Sequence, residues 1–234
     1  MTPAAGTPEA LARELARRLE AAGDPARIPG AQAYMKTSDP FFGVGADAMR
    51  AVVKGLAREH PPVDPDAYRA QIGAMWALRV REARYAAVDW GRRFPALRTL
   101  EALPLFERMI REGAWWDTVD EIARFHVGAL LLAHRAVMRP VLEAWVRDPC
   151  LWIRRAALVA HQKHRERTDE AQLFDHCLRL APEKDFFIRK AIGWALREYG
   201  KARPERVLAF VEAHRGRFSG LTAREALKRL KPGA

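Results

Sequence analysis

Apolar residues recur along this chain with the period of a helix almost everywhere. Sustained period-2 alternation is missing, and Val and Ile are thin beside Ala, Leu, Glu and Arg, so the pattern predicts a nearly all-helical chain. Helix starts are marked by Thr7-Pro8-Glu9, Asp64-Pro65 and Asp148-Pro149. Two Thr-x-x-Glu patterns, Thr118 with Glu121 and Thr222 with Glu225, read as capping boxes. Breaks fall at Gly23-Asp24-Pro25, Pro61-Pro62, Asp148-Pro149 and Ala202-Arg203-Pro204, and segments of ordinary helix length lie between them. Only residues 22–45, rich in Pro and Gly, read as a long irregular connection.

The helical segments repeat. Arg50-Ala-Val-Val, Arg84-Tyr-Ala-Ala, Asp120-Glu-Ile-Ala, Arg155-Ala-Ala-Leu, Lys190-Ala-Ile-Gly and Arg224-Glu-Ala-Leu align, with first positions 34, 36, 35, 35 and 34 residues apart. Two helices and two turns occupy that length, so the period predicts an all-α α-solenoid of about six stacked hairpins. The glycine and aromatic positions of a tetratricopeptide repeat are missing, and a degenerate HEAT-like hairpin is the better label. On this reading residues 1–234 form one domain, with 1–6 as a disordered tail.

Charge adds a partner to that picture. The 234 residues carry 40 Lys+Arg against 29 Asp+Glu, a formal charge of +11, which favours an anionic partner without naming it. Five of the six lead positions of the repeat are cationic, which predicts a basic edge on a concave, DNA-binding face; the same residues could equally be solvated cations paired with local carboxylates. Cys150 and Cys177 form no metal or disulfide pattern, and no apolar run is long enough for a membrane span, which points to the cytoplasm. His161 and His164 lack a third ligand at metal spacing and read as surface residues, and no nucleotide-binding glycine motif is present. Trp76, Trp90 and Trp145 stand at core spacing.

Asp120 interrupts the cationic row. It sits in Trp115-Trp116-Asp117-Thr118-Val119-Asp120-Glu121, and the Thr118 capping box would place it in a first helical turn, where the helix dipole keeps a carboxylate ionised. An anion held among cations beside two tryptophans suits a reaction that builds positive charge; an Asp serving only to stabilise a helix start would look the same.

At this segment the chain resembles the AlkD family of DNA alkylation repair glycosylases. The resemblance is carried by Tyr34-Met35-Lys36 with Phe41-Phe42-Gly43-Val44, by the Trp115 to Asp120 block, by Trp152-Ile153-Arg154-Arg155-Ala156-Ala157, and by Lys184 through Tyr199. These blocks occur in family order, over a span from about residue 10 to the C-terminus.

The resemblance implies a monofunctional glycosylase of base excision repair, a monomer in the bacterial cytosol or nucleoid, acting on alkylated double-stranded DNA without a metal or other cofactor. It implies that Asp120 is the catalytic carboxylate, that Trp116 and Trp194 flank the lesion, and that Tyr34 is a further aromatic of the cleft. It implies that Arg155 contacts the DNA backbone, with Arg197, Lys190 and Lys36 as further backbone candidates. The substrates it implies are cationic N3- and N7-alkylpurines, excised while the lesion stays largely within the duplex rather than in a base-flipping pocket, leaving an abasic site. The alternative from a different class is a noncatalytic basic α-solenoid that binds structured nucleic acid or acidic partners.

Overall fold

The computed structural model describes residues 6–228 and 230, and among them every regular element is helical. The expected tail at residues 1–6 falls, apart from Gly6, outside the described residues. The chain divides into two compact units, one ending at Leu105 and one beginning at Phe106.

The N-terminal unit contains α1 (Pro8–Ala21), α2 (Ile28–Met35), α3 (Ala46–Glu59), α4 (Pro65–Trp76) and α5 (Arg81–Arg93). Thr7 and Asp64 cap α1 and α4, each accepting a backbone N–H, with Pro8 and Pro65 just inside. The core here is Leu15, Leu19, Val53, Leu56, Ile72 and the fully buried Trp76 and Trp90. The segment expected to be irregular contains α2, and its remainder is tied down by Glu82, a buried carboxylate that accepts the N–H groups of Phe42, Gly43 and Val44 at 3.0, 2.8 and 3.1 Å. Gly43 adopts φ +77, and a Cβ there would stand 2.1 Å from the Asp24 carbonyl oxygen, so only glycine fits.

The C-terminal unit takes in most of α6 (Leu103–Gly113), then α7 (Trp116–Ile122), which runs through a π turn at Ala123–Val127 into α8 (Gly128–Ala133). It continues with α9 (Arg135–Trp145), α10 (Leu151–Val159), α11 (Glu170–Leu180), α12 (Phe186–Gly200), α13 (Pro204–Ala213) and α14 (Gly220–Leu227). The helices pair as α9 with α10, α11 with α12 and α13 with α14, while α7, α10, α12 and α14 pack in succession. This is the hairpin stack that the repeat predicts, and the lead positions Asp120, Arg155, Lys190 and Arg224 lie on those successive helices. Gly193 permits the last step: a Cβ there would lie 2.5 Å from Glu225 Cβ and 2.8 Å from the Thr222 carbonyl oxygen, so α12 and α14 approach through a bare backbone.

Three local expectations are corrected. Helix α7 begins at Trp116 after Trp115, and the Thr118 hydroxyl bonds back to the Trp115 carbonyl, so Asp120 sits in the second turn rather than the first. Ser219 caps α14 by accepting the Thr222 N–H, which makes Thr222 an internal residue. His161 and His164 are buried at 2% and 3% exposure, not surface residues, because the chain leaving α10 folds inward and His164 Nε2 reaches the Gly128 carbonyl at 2.7 Å. Trp145 is buried as expected, Cys177 is buried, and Cys150 is half-buried and unpaired in any disulfide.

Candidate functional site

A cavity of about 350 Å³ opens on the C-terminal unit where α7, α10, α12 and α14 meet. Trp116 and Asp120 enter it from α7, Arg155 from α10, Phe186, Phe187, Lys190, Trp194 and Arg197 from α12, and Glu225 from α14. Trp116, Asp120 and Trp194, separated by as many as 78 residues, therefore share one wall system.

Asp120 is held by Arg155. Its two carboxylate oxygens accept Arg155 Nε and Nη2 at 2.7 Å each, and Arg155 Nη1 donates to the Phe187 carbonyl at 2.5 Å. Both side chains are nearly out of solvent, Asp120 at 5% and Arg155 at 5% exposure. Burial raises the Asp120 pKa above its ordinary value, while Arg155 and then Arg124 work against that shift. Each carboxylate oxygen retains a second lone pair, so the pairing leaves Asp120 able to accept a bond from a ligand in the cavity.

Behind this pair lies an aromatic floor. Trp115, Trp152 and Phe187 form a triangle with ring centroids 5.0 to 5.8 Å apart, and Phe187 also lies beneath the Arg155 guanidinium at 5.9 Å. Phe186 projects outward, 55% exposed, with Lys190 Nζ 5.8 Å from its ring. At the α14 side, Glu225 receives Arg197 at 2.7 Å and faces Lys190 at 3.6 Å. Burial raises the Glu225 carboxyl, but Arg197 and Lys190 outweigh it and leave its pKa lowered.

The cations of the repeat thus do different things. Arg50 pairs with Asp47, the Arg84 guanidinium lies 5.0 Å from the Trp76 ring, Arg155 is spent on Asp120, Lys190 and Arg197 converge on Glu225, and Arg224 is exposed. Tyr34 and Lys36 belong to the N-terminal unit, at the end of α2: Tyr34 is 75% exposed, and Lys36 is exposed with φ +51. The pattern reading missed Arg124, whose guanidinium stands 5.2 Å from the Trp194 ring and whose Nη1 donates to Glu121 at 2.9 Å. Its signal was the i, i+4 spacing from Asp120 at the entrance to the π turn, a distortion frequent at functional sites.

The family model for DNA alkylation repair enzymes matches residues 15–230. The chain belongs to that family. It is also similar to a solved structure of a predicted DNA alkylation repair enzyme from Enterococcus faecalis, at 28% sequence identity and a TM-score of 0.81, over 90% of this chain and 97% of that one. None of the curated proteins compared matches it. Among the described residues of this family member no helix is long and apolar enough to cross a membrane.

Proposed function

We propose that this protein is a monofunctional DNA glycosylase that hydrolyses the N-glycosidic bond of cationic N3- and N7-alkylpurines in duplex DNA. The observation that carries the reading is Asp120, a carboxylate fixed by two hydrogen bonds in the wall of a cavity flanked by Trp116 and Trp194.

A purine alkylated at N3 or N7 is positively charged and leaves as a neutral base, so its departure needs no general acid. As the bond lengthens, positive charge moves onto the deoxyribose. A carboxylate whose position is already set stabilises that charge more than the ground state, and its removal typically costs about 10² to 10³ in rate. Asp120 supplies that charge and orients or deprotonates the attacking water. Arg155 is the positioning residue: its rigid fork fixes both carboxylate oxygens and opposes the burial that disfavours their charge. The indole faces of Trp116 and Trp194 attract a cationic lesion and sugar by about 0.5 to 2 kcal/mol each, and attract a neutral base much less. In this proposal the lesion lies against the cavity within the duplex, and Lys190, Arg197, Lys36 and the exposed Tyr34 are candidates for contacts to the surrounding DNA.

A second reading has its own support. The Asp120–Arg155 pair joins α7 to α10 and would serve as a structural tie in a noncatalytic nucleic-acid-binding stack. The experiment that decides is release of free 7-methylguanine from duplex DNA. The wild-type protein is expected to release it well above the spontaneous rate, and Asp120→Asn to lose at least about 10² of that enhancement while still binding DNA. Release no faster than the spontaneous reaction overturns the glycosylase reading in favour of the binding stack.

A further inference from the structure

A second cavity, of about 210 Å³, lies past the first along α12. It is lined by Gln162, Lys163, Arg165, Glu166, Glu198 and Lys201, with Ala202 at its edge. The two cavities are bridged by a third, which shares Arg197 with the first and Glu198 and Lys201 with the second.

Gln162 marks this second cavity as a ligand site. It is 5% exposed, and neither its Oε1 nor its Nε2 has a hydrogen-bond partner among the described residues. A buried carboxamide with both ends unsatisfied is costly in a folded protein, and a bound oxyanion would accept from its Nε2 and remove the donor's share of that cost. The charged lining indicates the sign of that ligand. Lys201 and Glu198 neutralise each other, both carboxylate oxygens lying 2.7 Å from Lys201 Nζ, which leaves Lys163, over the Phe125 ring at 5.2 Å, and Arg165 against Glu166. Arg165 adopts φ +51, a left-handed backbone unfavourable for a side chain of that size, and it is exposed on the turn after Gln162.

We propose that the cavity formed by Gln162, Lys163, Arg165 and Lys201 is a phosphate site that takes a backbone phosphodiester of nucleic acid lying along α12. Arg165 and Lys163 supply charge, and the Gln162 amide donates to a phosphate oxygen. Seven residues of helix separate Trp194 from Lys201, about 10 Å at 1.5 Å per residue, or roughly three nucleotides of axis rise on one strand. The phosphate gripped here is therefore a near neighbour of the nucleotide in the first cavity. The diester assignment rests on the proposed DNA-binding function; the oxyanion chemistry of the cavity does not.

The chain contains glutamine only at 32, 71, 162 and 172 and has no asparagine, so its side-chain amide NMR spectrum holds few signals and Gln162→Leu assigns the one that matters. Inorganic phosphate added to the full-length protein is expected to shift the Gln162 amide saturably, and Arg165→Gln to abolish that shift. With undamaged duplex DNA, Gln162→Leu and Arg165→Gln are each expected to weaken binding about 3- to 10-fold near 0.1 M salt. Arg165→Gln should also lower the log–log salt slope by about 0.9, the value for one lost phosphate contact. The same charge removed at Arg215, exposed beside Glu212, should leave duplex affinity within about twofold. A phosphate-induced Gln162 shift with unchanged duplex affinity and slope would show a free-phosphate site and overturn the diester; neither effect would overturn the site altogether. Duplex binding that falls in both variants, with no base released by wild type, would keep this proposal and defeat the glycosylase.

Discussion

Asp120 and Arg155 occupy the same register in adjacent hairpins, 35 residues apart, and each satisfies the other through two parallel 2.7 Å hydrogen bonds. Their burial makes the pair expensive to break from one side. Arg155→Ala strands the carboxylate and Asp120→Ala strands the guanidinium, and each is expected to lower stability by about 3 to 5 kcal/mol. The double replacement Asp120→Leu with Arg155→Met leaves no orphaned charge and should recover most of that loss. Urea denaturation of the four proteins measures the coupling. If the double variant is as unstable as the sum of the singles, the pair is not the tie that its geometry describes.

The same pair governs the pH dependence of the proposed reaction. The Asp120 pKa lies above its ordinary value because burial disfavours the charged form, with Arg155 opposing. Activity that needs the carboxylate should therefore fall on the acid side with a midpoint above the ordinary aspartate value of 3.8. Replacing Arg155 by Gln removes an opposite charge, so ionisation becomes harder and the midpoint moves to higher pH. Single-turnover excision across a pH series tests this; a midpoint displaced to lower pH by Arg155→Gln would contradict it.

The pattern of residues carried the stack of helices because each hairpin repeats its apolar faces at nearly constant spacing, and the lead positions of the C-terminal unit do fall on successive packed helices. It also carried the three residues that meet in the cavity, although the resemblance, rather than spacing, singled out Trp194. What it could not show was pairing. Five cations and one carboxylate in register read as a row, whereas neighbours one repeat apart can neutralise each other, as Asp120 and Arg155 do. The two buried histidines were misread for a related reason: polarity suggests surface, and only the path of the chain past α10 encloses them.

Arg124 stands against Trp194, and that contact has consequences for the cleft. A guanidinium 5.2 Å from the indole restrains the ring while its own position is set by Glu121. Such a contact is worth about 0.5 to 1 kcal/mol at a partly exposed site, so Arg124→Gln should slow excision of 7-methylguanine by about 2- to 5-fold. Labelling with 5-fluorotryptophan, with the Trp194 signal assigned by Trp194→Phe, reports the ring directly. The Trp194 resonance should shift and broaden in Arg124→Gln, with little change at Trp76, which is buried in the other unit. An unaltered Trp194 signal would remove Arg124 from the positioning of the lesion wall.

His161, His164 and His176 are all buried, and burial lowers the pKa of each, that of His161 well below 6.5. His161 meets both of the others ring to ring at 5.9 Å, and neither of its nitrogens has a hydrogen-bond partner among the described residues. The groups facing the cluster act in both directions: Arg135, Arg167 and Arg179 disfavour protonation, while Glu143 and Asp175 favour it at His176. Because the unfolded chain takes up these protons near pH 6.5 and the folded chain resists them, stability is full above that value and falls as pH drops below it. Each histidine kept neutral contributes a slope of up to about 1.4 kcal/mol per pH unit in that range. Urea midpoints measured from pH 7.5 to 5 should therefore decline steeply. His161→Leu removes one of the three titrations and is expected to flatten the decline by close to one proton's slope; a variant as acid-sensitive as the wild type would show that His161 is protonated in the folded protein.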